Sequence, residues 1–159
     1  MNTMNAAIMK IAEQIVSRSQ ALLMMDKYLN PVIFEVMGNT ITPMENIKLK
    51  TETDKINISK VLHEMSTRSE AIIIILDAWV KHVSKEKVKL NPNLMEETEP
   101  TPALIFTVYT KEGTHTRVIV HTDGGRPIID KGWETITNDG GYLHNPYLKP
   151  DESEIIELF

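Results

Sequence analysis

The chain contains no cysteine, and this absence excludes several kinds of site at once. Without thiols it can form no disulfide, offers no thiolate nucleophile and supplies no cysteine ligand for zinc or an iron–sulfur cluster. A G-x-S-x-G elbow, from which a serine triad could be built, is also missing. We therefore assign no catalytic residue and no cofactor from motifs, and the sequence weighs against an enzyme.

Long apolar runs and an excess of basic residues are missing as well. The run from Ile72 to Leu76 is far shorter than the roughly 18 apolar residues that a membrane helix needs. The 22 acidic and 17 basic residues give a net charge of −5, which disfavours a nucleic-acid partner. The first residues lack the basic region of a signal peptide. We expect a soluble, cytoplasmic protein without a membrane partner.

The length of 159 residues is enough for one domain with a sizeable core. We expect a single domain over residues 1–136, which includes a polar, proline-punctuated connector over residues 84–102. Residues 137–159 are predicted to form a polar tail. Its apolar end, from Ile155 to Phe159, either docks as a last helical turn or frays.

Hydrophobic periodicity predicts two helices in the first half of the chain. Residues 5–25 repeat apolar side chains at helical spacing, and the helix is expected to end at Asn30-Pro31. A second helix is capped by Asp54 or Asn57 and closes near Ser69. Between them, residues 32–37 and 40–42 are typical of two short strands joined at Gly38-Asn39.

The segment from Ala71 to Val83 predicts the central strand of a sheet. Four consecutive isoleucines and a leucine favour burial on both faces, and Asp77 marks the point where the strand leaves the core. Trp79 lies on the same strand face as Asp77, because side chains alternate along a strand.

A hairpin is predicted over residues 103–122, around Lys111-Glu112-Gly113. The glycine in the third loop position favours a three-residue loop over a two-residue loop. The register of that loop gathers most apolar side chains on one face. It leaves a mixed face made of Ile105, Thr107, Tyr109, His115, Arg117, Ile119 and His121. Residues 126–129 are predicted to add a short edge strand.

The predicted order is helix, strand, strand, helix and three further strands. It indicates an α+β fold with a mostly antiparallel sheet of five to six strands and helices on one face. This arrangement resembles roadblock and profilin-like domains, which dimerise or scaffold partners. The likeness is one of fold alone and implies no activity.

The chain also resembles a family of small α+β proteins without an assigned function. The resemblance covers roughly residues 28–130 and includes an acid and a tryptophan at the positions of Asp77 and Trp79. It is carried by Pro31-Val32-Ile33-Phe34, Leu62-His63-Glu64-Met65, the stretch from Glu70 to Trp79, Ala103-Leu104-Ile105-Phe106 and Gly124-Gly125-Arg126-Pro127. It supports the predicted order of elements and implies no activity, cofactor or catalytic residue.

Asp77 and Trp79 form the most specific candidate site. A half-buried carboxylate needs a partner, and Arg117 on the mixed face is the predicted one, in a structural ion pair. The functional alternative is an acid-plus-aromatic binding spot in which Trp79 stacks on a ligand.

The histidines do not predict a metal site. His115 and His121 are about 20 Å apart along an extended strand, which is too far for one metal ion. His121 and Asp123 could meet a third histidine from elsewhere, namely His63, His82 or His144. None of these residues has a known ligand spacing.

Two classes of function remain open. The first is a protein-interaction or oligomerisation domain that uses the mixed face, to which the central strand adds Ile73, Ile75 and Trp79. Its expected interface residues are Trp79, Ile105, Tyr109 and Ile119. Its partner is a second copy of the chain, giving a dimer, or another protein. The alternative is a small-molecule-binding or hydrolytic enzyme with a polar site near Asp77, His115, Arg117 and His121. That alternative requires these four side chains to converge in a concave site.

Overall fold

A computed structural model describes residues 4–81, 85–136 and 143–148 of the chain. The helices in this part are α1 (Ala6–Asp26), α2 (Glu52–Ser66), α3 (Lys85–Leu90) and α4 (Leu94–Glu97). The strands are β1 (Val32–Met37), β2 (Thr40–Met44), β3 (Ala71–Val80), β4 (Thr101–Thr110), β5 (Gly113–His121), β6 (Pro127–Asp130) and β7 (Glu134–Ile136). Within these residues, no helix is both long enough and apolar enough to cross a membrane.

The strands form one antiparallel sheet in the order β2-β1-β3-β4-β5-β6, and β7 pairs with β5 beside β6. Strand β3 has a partner along each edge, β1 and β4, which confirms it as a central strand. The predicted α+β class and the mostly antiparallel sheet are confirmed. The sheet has seven strands rather than the predicted five to six, and the short β7 is the strand that the sequence did not indicate.

The two long helices cover opposite faces of the sheet. Helix α1 packs against Ile73, Ile75 and Phe106, and we call this side the α1 face. Helix α2 packs against the neighbouring β3 residues Ile72 and Ile74, on the α2 face. The sequence indicated helices on one face. The unbroken apolar run of β3 instead reflects a strand that is buried by a helix on each side.

Helix α1 ends earlier than the proline at position 31 suggested. It begins after Asn5, whose side chain accepts a hydrogen bond of 2.8 Å from the N–H of Ala7. It ends at Lys27, which has a left-handed φ of 68° and donates its N–H to the carbonyl of Leu23. The residues between this cap and β1, including Tyr28 and Leu29, are therefore not helical.

Helix α2 is capped by Thr51 rather than by Asp54 or Asn57. The Thr51 hydroxyl accepts from the N–H of Asp54 at 3.0 Å, and the Asp54 carboxylate accepts from the N–H of Thr51 at 3.1 Å. This reciprocal capping box satisfies two backbone donors at the start of the helix. The predicted connector at residues 84–102 also differs, because it contains α3, α4 and the start of β4.

The β4–β5 hairpin has a two-residue loop, so the predicted three-residue register was wrong. Thr110 pairs with Gly113, and Phe106 pairs with Arg117 rather than with Val118. A shift of one residue turns every β5 side chain to the opposite face. His115, Arg117 and Ile119 thus share the α1 face with Leu104, Phe106 and Val108. Ile105 and Tyr109 lie on the α2 face.

Part of the predicted tail belongs to the core. The Tyr109 hydroxyl donates to the carbonyl of Leu143 at 2.8 Å and accepts from its N–H at 3.1 Å. The fully buried Asn145 donates to the Thr110 carbonyl and to the Thr114 hydroxyl, at 3.1 Å each. These contacts fix residues 143–148 over the β4–β5 turn. Ile155, Ile156, Leu158 and Phe159 lie outside the described residues.

Candidate functional site

Asp77 lies where β3 passes from the core to the surface. The first six residues of the strand are buried, whereas Asp77 and Ala78 are half-buried and Trp79 is exposed. One carboxylate oxygen, Oδ2, accepts a hydrogen bond of 3.3 Å from the backbone N–H of Leu29, just beyond α1. The other, Oδ1, faces the ring of His121. The strand and the end of α1 together fix this acid.

His121 is the last residue of β5 and is buried. An irregularity between Val120 and His121 shifts the register, so that His121 pairs with Pro127. Its Nδ1 atom is 2.7 Å from the carbonyl oxygen of Thr122. A carbonyl only accepts hydrogen bonds, so Nδ1 carries a hydrogen and donates it.

The other ring nitrogen of His121 faces the carboxylate of Asp77. Nε2 is 3.7 Å from Oδ1 of Asp77 and has no hydrogen-bond partner within the described residues. When the imidazole is protonated, the two side chains form an ion pair. When it is neutral, the lone pair of the buried Nε2 faces the carboxylate across a distance too long for a hydrogen bond.

A small cleft surrounds this acid–histidine pair, and we call it the Asp77 cleft. Its volume is ≈ 270 Å³, near the lower end of ligand pockets, so it fits a side chain or a small group. It is lined by Lys27, Tyr28, Asp77, Trp79, Pro102, His121 and Asp123. Trp79 and Tyr28 are 67% and 63% exposed, so both rings offer surface to a ligand.

The charges in the Asp77 cleft favour a positive ligand. Asp77 and Asp123 bring two carboxylates, and Lys27 brings one ammonium group. The Lys27 ammonium donates one hydrogen bond of 2.9 Å to the carbonyl of Met24, at the end of α1. With a neutral His121 the lining carries a net negative charge beside two aromatic rings.

Arg117 does not join the cleft, so the predicted Asp77–Arg117 pair was wrong. Its guanidinium binds Asp130 through two hydrogen bonds, of 3.0 and 2.6 Å. It also donates to both carboxylate oxygens of Glu13 on α1. Arg117 and Asp77 lie on the same side of the sheet, but β4 runs between their strands and Arg117 is level with Ile75 rather than with Asp77.

His115 is also remote from the cleft. It is buried on the α1 face, and its Nδ1 is 3.2 Å from the Thr135 hydroxyl on β7. Burial lowers the pKa of His115, and the charge of Glu112 opposes this shift. Of the four residues considered for a polar site, the structure brings together only Asp77 and His121.

The four predicted interface residues do not form one surface either. Tyr109 and Ile119 are 0% and 1% exposed, so neither reaches the surface. Ile105 is half-buried on the α2 face, and Trp79 alone is well exposed. The predicted mixed face is therefore not an open patch, because α1 covers its isoleucines on β3 and β5.

No pattern in the sequence indicates that Lys27, Tyr28 and Pro102 lie beside Asp77. Tyr28 was counted as part of a helix reaching Asn30, and Pro102 as part of a loop. The left-handed cap at Lys27 ends α1 early and brings Tyr28 beside β3. The pairing of Pro102 with Trp79 brings the start of β4 there as well. The hydrophobic periodicity of the sequence predicts neither the cap nor this pairing.

The orientation of His121 does not suit covalent catalysis. In a catalytic triad the acid binds Nδ1–H and leaves Nε2 facing the nucleophile. Here Nδ1 is bound to a backbone carbonyl and Nε2 faces the acid. The described lining of the cleft contains no serine, threonine or cysteine. Across the described residues, no group of three or more His, Asp or Glu side chains is placed to hold a metal ion.

Comparisons with protein-family models, with curated proteins and with solved structures find no match to this chain. The functional argument therefore rests on the geometry of the Asp77 cleft.

Proposed function

We propose that this chain is a non-catalytic binding domain and that the Asp77 cleft recognises a basic side chain of a partner protein. The observation that carries the proposal is the exposed ring of Trp79 beside the half-buried carboxylate of Asp77. A cation on an aromatic face gains about 0.5–2 kcal/mol, and more when it is shielded from water. A nearby carboxylate adds a charge-assisted hydrogen bond.

The size and chemistry of the cleft support a side chain rather than a large ligand. A volume of ≈ 270 Å³ holds a guanidinium or an ammonium group with part of its aliphatic stem. Asp77 offers its Oδ1, and the rings of Trp79 and Tyr28 offer apolar contact to the stem. An arginine fits better than a lysine, because its planar fork can stack on an aromatic ring and bind a carboxylate.

Another protein is favoured over self-association as the partner. The dimer was expected from an open mixed face, and Ile73, Ile75 and Ile119 of that face are buried below α1.

A cytoplasmic location belongs to the same proposal, and fractionation of cells that express the tagged chain tests it.

Titration with blocked amino acids tests the recognition of a basic group. The probes are Nα-acetyl-arginine amide and its uncharged analogue Nα-acetyl-glutamine amide, followed through the two tryptophan indole N–H signals by NMR. The Trp79 signal should shift saturably with the arginine probe only. The signal of Trp133, which donates to Glu13 at 2.7 Å, serves as the internal control. Equal shifts with both probes, or no shift at Trp79, contradict the proposal.

A further inference from the structure

Helix α1 leaves part of the α1 face uncovered beside strands β1 and β2. Val36 of β1 is buried there, whereas its cross-strand neighbour Ile41 on β2 is 37% exposed. Phe34 and its neighbour Pro43 lie on the same side, because directly opposite residues of paired strands share a face. The β1–β2 edge of the sheet thus forms the floor of a groove, and α1 forms its wall.

The volume of this space, which we call the α1–β2 groove, is ≈ 430 Å³. Pockets for small molecules commonly have about 300–1,000 Å³ and a mostly apolar lining with a few polar groups. Nine of the thirteen described lining residues are apolar, among them Ile15 and Leu22 of α1 and Phe34 and Ile41 of the floor. None of the thirteen lines the Asp77 cleft, so the groove is a separate site.

Ser19 brings a buried hydroxyl to the α1–β2 groove. The residue is only 5% exposed and lines the groove from α1. In the part of the chain that the structure describes, its hydroxyl makes no hydrogen bond, not even to the carbonyl one helical turn earlier. Buried hydroxyls normally have a hydrogen-bond partner. A polar group of a ligand in the groove would supply it.

Arg18 brings a positive charge to the same wall of the groove. Arg68 and Arg117 each bind a carboxylate of the chain, whereas Arg18 has no such ion pair among the described residues. A planar guanidinium binds a carboxylate through two parallel hydrogen bonds. Arg18 and the neighbouring Ser19 therefore match the carboxylate group of a ligand.

Glu45 limits the charge that such a ligand can carry. It follows the end of β2 and is the single acid in the described lining. A second negative charge on the ligand would be repelled by Glu45 or would lie on the apolar floor, where no group compensates it. A monocarboxylate with an apolar chain therefore fits better than a dicarboxylate.

We propose that the α1–β2 groove binds an aliphatic monocarboxylate, such as a medium-chain fatty acid. The carboxylate accepts hydrogen bonds from the Arg18 guanidinium and from the Ser19 hydroxyl. The aliphatic chain lies on the floor and covers Phe34 and Ile41.

Titration of the full chain with decanoate, followed through isoleucine methyl signals by NMR, tests the site. The signals of Ile15 and Ile41 should shift saturably, and Ile128, which is 58% exposed on β6, serves as the internal control. Octanoate should bind about five- to fifteen-fold more weakly, because each buried CH₂ raises affinity up to about four-fold. The uncharged decanamide and the doubly charged decanedioate should both bind more weakly than decanoate.

Two substitutions on α1 test the polar contacts. Arg18→Gln should weaken decanoate binding about five-fold, as for one exposed ion pair. The matched control Arg126→Gln, which changes an exposed arginine before β6, should leave the affinity unchanged. Ser19→Ala should weaken binding about two- to five-fold without lowering the melting temperature, because its hydroxyl bonds to no other described residue.

Three outcomes overturn the proposal. Equal affinities for decanoate and decanamide, or equal effects of Arg18→Gln and Arg126→Gln, would show that no carboxylate is recognised at Arg18. A decanoate titration that leaves Ile15 and Ile41 unshifted would show that the groove binds no aliphatic chain.

Discussion

His115 is buried on the α1 face with one ring nitrogen near Thr135 and the other, Nε2, without a partner in the described residues. Burial is the main cause that lowers its pKa below the usual value. The neutral ring is therefore the form that suits the folded chain. Protonation would place a charge where no described carboxylate receives it through a hydrogen bond.

The stability of the fold should therefore fall in mild acid. As pH drops below about 6.5, the unfolded chain takes up a proton at His115 that the folded chain resists until lower pH. The stabilising contribution is fully present above that value and is lost as pH falls through the lowered folded pKa. His115→Asn should flatten the slope of unfolding free energy against pH by at most about 1.4 kcal/mol per pH unit. Urea unfolding at several pH values measures this, and parallel slopes for both chains would refute it.

Tyr109 is the second buried residue with a specific prediction. Burial raises the pKa of Tyr109 to about 12, so its hydroxyl stays neutral and binds both backbone groups of Leu143. Tyr109→Phe leaves two buried backbone groups unpaired and should cost about 1–3 kcal/mol. Thermal unfolding measures the loss, with the exposed Tyr28→Phe as a control that should change stability little. A Tyr109→Phe chain as stable as the original would contradict these contacts.

At the scale of elements, Arg117 joins α1 to the sheet. Its guanidinium contacts Glu13 of α1 and Asp130 of β6, and it lies 5.9 Å from the ring centroid of Trp133. Hydrogen bonding to Arg117 lowers the pKa of the Asp130 carboxyl. Three separate segments of the chain are therefore held by one side chain.

Replacing Arg117 should loosen the contact between α1 and β5. Arg117→Met should destabilise the fold by about 1.5–3 kcal/mol, the range for hydrogen bonds to charged groups. The stability of Arg117→Lys should fall between that of the original chain and that of Arg117→Met, because a lysine keeps the charge and loses the fork geometry. Chemical unfolding followed by tryptophan fluorescence, to which Trp79 and Trp133 both contribute, measures the effect. If Arg117→Lys is as damaging as Arg117→Met, charge contributes nothing to this contact.

Elements that rest on repeated apolar spacing could be predicted from the sequence. The periodicity of residues 5–25 predicted α1, and the isoleucine run predicted the central strand. The short helices α3 and α4 could not be predicted in this way, because six and four residues are too short for a periodic stripe. The Thr51–Asp54 capping box was readable as a motif and was missed.

The register of the β4–β5 hairpin was the costliest error. It rested on collecting apolar residues on one face, which assumes that a charged residue cannot face the core side. Arg117 does face that side, because Glu13 and Asp130 receive its charge there. Such a partner from a helix about a hundred residues away is invisible to a local pattern. The predicted interface failed for a separate reason, because α1 and α2 cover the two faces of the sheet.

For the molecule as a whole, the sequence predicted the α+β class and the antiparallel sheet, and it drew attention to Asp77 and Trp79. It could not predict which distant groups surround them. The end of α1, the irregularity at His121 and the start of β4 together form the Asp77 cleft. Function at this scale depends on loops and chain ends, whose placement follows from tertiary packing.

The affinity of Nα-acetyl-arginine amide for two charge variants tests the account most directly. Asp77→Asn keeps the shape of the cleft and removes its inner charge. Glu112→Gln removes the same charge at an exposed position in the β4–β5 turn. We predict binding about ten-fold weaker for Asp77→Asn, equivalent to about 1.4 kcal/mol, and unchanged binding for Glu112→Gln. Equal affinities for the two variants would contradict a recognition site at Asp77.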